Sequence, residues 1–191
     1  MFRGKLLAAA ASVCALLLAS CATIDQNPTP TQSIAPSGAF EIVGRLSARH
    51  ANEAAATGFR WMHNLDRDEL EFTSPLGQTI ARMEGDSRGA RLLAADGSAV
   101  SAANWPDLTE RALHFPLPVE GLASWVQGLP RARSTYTSEA GPGGLPAVLR
   151  QDGWEIVYQA YGLGGAGRTR PTRIALNYPE VEVRIVIDEW Q

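Results

Sequence analysis

From Ala39 onward, apolar and polar positions alternate with a period of two, the pattern of half-buried β-strands. Phe40, Ile42, Gly44, Leu46 and Ala48 fall on one face, and Glu41, Val43, Arg45, Ser47 and Arg49 on the other. Phe59, Trp61 and His63 repeat the pattern around Arg60 and Met62, and Leu70 and Phe72 alternate with Glu69, Glu71 and Thr73. Residues 78–84 and 91–95 predict two further strands, and Asp96-Gly97 predicts a two-residue hairpin turn into a strand over 98–102. Beyond the Gly/Pro-rich stretch Gly141-Pro142-Gly143-Gly144, strands over 147–151 and 154–161 flank a second such turn at Asp152-Gly153. Strands over 172–177 and 181–190 close the chain, the last alternating Val181, Val183, Ile185 and Ile187 with Glu182, Arg184, Val186 and Asp188.

Between the two groups of strands the period changes. Asp107-Leu108-Thr109-Glu110 has the spacing of an acidic helix cap followed by Glu, with Leu108, Ala112 and Phe115 on one face, and Pro116 and Pro118 stop it. A second short helix is predicted through Leu122, Trp125 and Val126, ending at Gly128. Repeated hairpins without βαβ spacing predict one strongly curved antiparallel sheet whose concave face two short helices cover. No internal repeat is evident.

The first 38 residues do not belong to this pattern. Arg3 and Lys5 precede an uncharged run from Leu6 to Leu18, too short to span a hydrocarbon core of about 30 Å as a helix. The run ends Leu18-Ala19-Ser20-Cys21, which resembles the bacterial lipobox, where the leader is cut and the cysteine acylated. Residues 1–20 are therefore expected to be a lipoprotein signal peptide and Cys21 the lipidated residue. An ordinary secretory signal with an incidental cysteine is the competing reading. Residue 22 is alanine rather than aspartate, which by resemblance directs the product to the outer membrane. Residues 21–38, with Asn27-Pro28-Thr29-Pro30-Thr31 and Ala35-Pro36-Ser37-Gly38, read as the lipidated cysteine and an extended tether reaching up to roughly 50 Å, so the domain occupies 39–191.

Composition narrows the chemistry. The chain of 191 residues suits one domain with a single core. Its formal charge of −3 becomes −5 once Arg3 and Lys5 leave with the leader, a poor match for nucleic acid, which needs clustered positive charge. An acidic surface is compatible with a carrier that has a basic mouth. Cys14 also leaves, so the mature chain has neither a disulfide nor a thiolate metal site. Gly162-Leu163-Gly164-Gly165-Ala166-Gly167 fits G-x-G-x-x-G literally, but Arg168-Thr169-Arg170-Pro171 and then a strand follow instead of the helix that would hold a pyrophosphate. His50, His63 and His114 lack metal-ligand spacing and are expected on the surface or in packing. Asp66, Asp68, Glu69 and Glu71 are expected on a solvated turn and strand face. No catalytic residue, metal or cofactor is expected.

The distinctive segment is Thr73-Ser74-Pro75-Leu76-Gly77-Gln78 between two strands. Turn tips are normally polar, and here Pro75 and Gly77 bracket a leucine with little room to fold back. Leu76 either stands out from the tip or tucks beneath the sheet edge. The order and spacing of this segment, the lipobox, Gly44-Arg45-Leu46, Phe59-Arg60-Trp61, Leu122-Ala123-Ser124-Trp125-Val126-Gln127-Gly128, Gly153-Trp154 with Tyr158, and Ile187-Asp188-Glu189-Trp190 resemble the outer-membrane lipoprotein receptor family LolB.

That resemblance implies a mainly β fold with short α-helices: an open, incomplete antiparallel β-barrel with a helical lid over an apolar cavity. It implies a receptor that accepts lipoproteins from the periplasmic carrier LolA, shelters their acyl chains and inserts them into the inner leaflet of the outer membrane. The family's membrane-inserting leucine falls on Leu76, in the loop of Ser74, Pro75 and Gly77. The inward positions Phe40, Ile42, Leu46, Phe59, Trp61, Leu70, Phe72, Trp125 and Ile185 are candidates to line the cavity, with ordinary core packing as the alternative for each. The chain departs from the enteric form in a short connection after the helices and in the Gly162–Gly167 loop. A monomer is expected. A lipid-sensing regulatory lipoprotein on the same fold, binding a signalling protein, and a structural outer-membrane protein without a cavity are the alternatives.

Overall fold

The structure, a computed structural model, describes residues 38–191. The expected signal peptide, Cys21 and nearly all of the expected tether lie outside the described residues. Six strands, β1 (Ala39–His50), β2 (Glu53–Asn64), β3 (Arg67–Thr73), β4 (Thr79–Asp86), β5 (Gly89–Ala94) and β6 (Ala99–Ala102), lead into α1 (Trp105–Leu113) and α2 (Val119–Trp125). Five more follow: β7 (Tyr136–Ala140), β8 (Pro146–Gln151), β9 (Trp154–Leu163), β10 (Thr169–Tyr178) and β11 (Val181–Trp190). They form one open antiparallel sheet in the order β6-β5-β4-β3-β2-β1-β11-β10-β9-β8-β7. The pairing of β1 with β11 joins the two halves, and the helices connect the two free edges.

The period-two pattern places the core as the sequence implies. Phe40 and Ile42, Phe59 and Trp61, and Val181, Val183, Ile185 and Ile187 are buried on one face, while Arg45, Arg60, Arg184 and Asp188 are exposed on the other. Trp105 and Leu108 of α1 and Leu122 and Trp125 of α2 join the same apolar cluster. The helices thus cover the concave side, α1 against β5 and β6 and α2 latched to β8 and β9. Between Val43 and Gly44 the register with β11 shifts by a bulge, where Gly44 lies so close to the Val186 carbonyl that a side chain has no room.

Two local expectations need correction. The N-cap of α1 is Asn104, not Asp107: its Oδ1 accepts from the Asp107 amide at 2.8 Å and its Nδ2 donates to the Asp107 carboxylate at 3.0 Å. Asp107 is the other half of this reciprocal cap, three residues inside the helix. Phe115 lies beyond the left-handed C-cap His114, where it is buried against His50 instead of riding on the helix. Strand β7 is absent from the sequence pattern. All five of its residues are exposed, so it carries no alternation to read.

Candidate functional site

The β3–β4 connection is a tight turn. The Gly77 amide donates to the Ser74 carbonyl at 2.9 Å, the Ser74 amide to the Gln78 carbonyl at 2.8 Å, and Gly77 adopts φ of 80°. Pro75 and Leu76 occupy its two central positions, and the glycine supplies the left-handed residue that returns the chain to β4. Leu76 is 89% exposed, so the tip carries an apolar side chain in water instead of tucking it under the sheet.

Behind the tip lies the concave interior. Phe40, Ile42, Phe59, Trp61, Leu70, Trp125 and Ile185 are buried in its cluster, and Leu46 and Phe72 are half-buried against it. Trp125 sits on α2, and so belongs to the lid rather than the sheet. Trp105, Met83, Trp154 and Tyr158 also join the interior, which holds an edge-on Phe40–Trp61 pair at 5.3 Å and a stacked Trp154–Tyr178 pair at 5.0 Å. Side chains of α1 and α2 fill the space enclosed by the sheet.

The lid is held by a few buried polar groups. Gln151 at the end of β8 accepts from the Trp125 indole at 2.8 Å and the Arg131 amide at 2.7 Å, and its amide donates to the Arg131 carbonyl at 2.9 Å and the Ser134 carbonyl at 3.2 Å. The Tyr158 hydroxyl donates to the Trp125 carbonyl at 3.0 Å; burial, then the neighbouring Tyr161, pushes its pKa well above the ordinary phenol value. Between the helices, the Thr109 hydroxyl accepts from the Leu117 amide at 2.7 Å.

Asp68 departs from expectation. It is only 2% exposed, accepting from the Trp61 indole at 2.7 Å and lying 2.8 Å from Nδ1 of His63, which stacks on Phe40. Its neighbour Asp66 is exposed, as expected of a turn. The signal was present, because Asp68, Leu70 and Phe72 share one parity in β3, and that parity faces inward. Gln151 gave no such signal, since its role depends on the lid segment that it meets.

Asp68, His63, Glu120, Ser124 and Gln127 line a groove of about 620 Å³ between α2 and the β2–β3 and β4–β5 turns. Among the described residues no group of three His, Cys, Asp or Glu side chains is placed to hold a metal. The Gly162–Gly167 segment leads into strand β10, so no helix N-terminus stands behind its glycines. The arrangement offers an apolar interior, a latched cover and an exposed apolar tip.

An open antiparallel half-barrel closed by short helices is the architecture of the LolA-like lipoprotein-sorting proteins. A LolA superfamily protein from Nitrosomonas europaea matches it with a TM-score of 0.52 at 8% identity, covering 84% of this chain and 89% of that one. A DUF1329 family protein from Desulfovibrio piger matches with a TM-score of 0.58 at 9% identity, covering 83% and 87%. The sequence narrows the class, since the family described as outer membrane lipoprotein LolB matches residues 38–190, and the chain belongs to it. The outer-membrane lipoprotein LolB of Azoarcus sp. is 37% identical, covering 98% of this chain and 96% of its own length. That of Thiobacillus denitrificans is 35% identical, covering 91% of each. The protein is therefore an outer-membrane lipoprotein with a LolB-type role in lipoprotein localisation, in a family of transport proteins rather than enzymes.

Proposed function

We propose that the protein accepts lipoproteins from a LolA-type periplasmic carrier, shelters their acyl chains in its concave interior and releases them into the inner leaflet of the outer membrane. The observation that carries this reading is the separation of roles along one molecule: a buried apolar interior under a lid, and Leu76 alone at an exposed tip.

The magnitudes fit a transfer protein. Sheltering an acyl chain from water yields about 0.8 kcal/mol per CH₂, on the order of 10 kcal/mol for a long chain. Against that stand the lid's hydrogen bonds, about 1 kcal/mol each, and the apolar burial of Leu122, Trp125 and Val126, about 1.5–3 kcal/mol each. Exchanging lid side chains for an acyl chain is thus nearly balanced, which permits both uptake and release. The direction comes from the ends of the path, with affinity above the carrier's and below the membrane's. Phe40, Ile42, Phe59, Trp61, Leu70 and Ile185 are the proposed fixed wall, Leu46 and Phe72 its partly covered margin, and Trp125 the part that moves.

Attachment falls to acylated Cys21, since burying Leu76 is worth only about 1.5–3 kcal/mol. In this antiparallel topology β1 begins at the end of the sheet opposite the β3–β4 turn, so the tether joins the domain far from Leu76. An extended tether with a reach of up to roughly 50 Å would exceed the about 40 Å length of the 12-residue β1, which would let anchor and tip meet one bilayer together.

The test mixes a carrier–lipoprotein complex with the mature chain anchored in liposomes and follows the cargo. Passage from carrier to protein to bilayer is the expected result. Cargo that stays on the carrier overturns the reading and favours a lipid-sensing lipoprotein.

A further inference from the structure

Leu76 is not the only exposed apolar side chain at its corner of the molecule. Ile80 and Leu93, 43% and 42% exposed, point outward from β4 and β5. They are diagonal neighbours on the outer face, because Leu93 pairs with Arg82 and the Ala95 amide donates to the Ile80 carbonyl at 3.0 Å. Ile80 follows Leu76 by four residues, so the three form one apolar strip running from the tip onto the outer wall. We propose that this strip is a single membrane footprint, and that the domain leans onto the outer corner of β4 and β5 instead of standing on its end. The proposal rests on the reading of Leu76 as the membrane-contacting tip and adds residues and an orientation to it.

Charge favours leaning. The other turns at the Leu76 end include Asp152-Gly153 and Pro179-Glu180, across the sheet from β4; Glu180 is exposed, and the Asp152 carboxylate is partly exposed and paired with Arg131 at 2.8 Å. Standing upright would press them toward the bilayer, whereas tilting onto β4 and β5 lifts them away. Charged groups also bound the strip. Arg82 pairs with Glu71 at 3.3 Å, and Arg60 pairs with Glu41. Asp96, at the β5–β6 turn, has its carboxyl pKa lowered by hydrogen bonds from Ser98 and stays charged. These groups cannot enter hydrocarbon, so the contact stops at interfacial depth with arginine stems lying along the surface. The matching occupant is therefore the headgroup–acyl boundary of a bilayer, not a protein groove.

The experiment uses the mature chain anchored in phosphatidylethanolamine/phosphatidylglycerol liposomes. An environment-sensitive NBD label is placed through Leu76→Cys, Ile80→Cys, Leu93→Cys or, as a control at the opposite end, Leu163→Cys, with quencher-bearing lipids in the bilayer. Quenching at positions 76, 80 and 93 but not at 163 is expected. Quenching at 76 alone overturns the footprint while leaving the tip reading intact; quenching at none of the three, or at 163 equally, overturns both. Separately, Ile80→Ser and Leu93→Ser are each expected to slow cargo release about fivefold with uptake unchanged. Unchanged release in the double variant also overturns the footprint.

Discussion

The hydroxyl of Tyr158 on β9 donates to the main-chain carbonyl of Trp125, the last residue of α2, at 3.0 Å. The indole of the same tryptophan donates to Gln151 on β8 at 2.8 Å. One lid residue is thus held at its backbone and at its side chain by neighbouring strands. The carbonyl also accepts from the Gly128 amide at 2.9 Å, so the tyrosine latch can open without leaving it unsatisfied. On the proposed reading the cover moves, and a fastening of that kind lets it.

Tyr158→Phe should therefore cost little, about 1 kcal/mol in a urea melt, while amide exchange in α2 quickens and acyl uptake speeds up. Gln151→Ala strands the Trp125 indole and both main-chain groups of Arg131, and should cost about 2–4 kcal/mol. The pH dependence has a defined sign. Because burial raises the Tyr158 pKa above its ordinary 10.0, its contribution is complete below about pH 10 and is lost as pH rises toward the folded value. The stability gap between wild type and Tyr158→Phe should be constant from pH 6 to 9 and shrink in stronger alkali. A gap that closes below pH 9 contradicts this.

Asp68 is the most consequential buried polar group of the opposite wall. Asp68→Ala leaves the Trp61 indole N–H without its acceptor in an apolar surround and should cost about 1–3 kcal/mol. Asp68→Asn keeps an oxygen for the indole and a polar group beside His63, and should cost less, under about 1 kcal/mol. Thermal melts followed by tryptophan fluorescence compare the two, and equal destabilisation would show that the indole bond matters little.

Legibility in the sequence followed exposure. Strands with one buried face, such as β1 with Phe40 and Ile42, announce themselves by alternation; Pro75 and Gly77 single out the leucine between them, but only the folded turn decides that it stands out instead of tucking beneath the sheet edge. Strand β7 does not, because an edge strand with every side chain in water has no pattern to display. Asp68 was hidden by its acidic neighbours, although its parity with Leu70 pointed inward. The sequence pattern starts α1 three residues late because Asn104 and Asp107 are both capping residue types, and only their reciprocal bonds show which one is outside the helix. Gln151 could not be read at all, since the Trp125, Arg131 and Ser134 groups it bridges lie 17–26 residues away.

Two glycines separate packing from backbone strain. At Gly44 an added Cβ would run into the Val186 carbonyl and meet Ile187 Cα at 3.1 Å, both main-chain atoms at the seam joining the two half-sheets. Gly44→Ala should destabilise by about 3 kcal/mol, because neither strand can yield without breaking the ladder. At Gly77 the φ of 80° strains any other residue, but nothing lies within 4 Å. Gly77→Ala should cost only about 1 kcal/mol and leave the melt cooperative. The reverse ranking in chemical denaturation would refute this assignment of the two roles.

Leu76→Glu isolates the tip from the interior. The site is 89% exposed at a turn whose hydrogen bonds join main-chain groups or run from the Gln78 amide to the Ser74 hydroxyl, so the substitution removes no packing and stability should change by less than about 0.5 kcal/mol. On the proposed reading uptake from the carrier depends on the interior and lid, so it should proceed at the wild-type rate. Release should fail, because a carboxylate at the tip resists entering the interface where the leucine was favourable, and loaded protein should accumulate at the membrane. Leu76→Ala, which loses apolar area without adding charge, should slow release by about tenfold. Pulse-loading the anchored protein with labelled lipoprotein and following transfer to the bilayer separates the two steps. If Leu76→Glu releases cargo at the normal rate, the tip has no part in delivery; if it fails to load, the tip acts at the carrier instead of at the membrane.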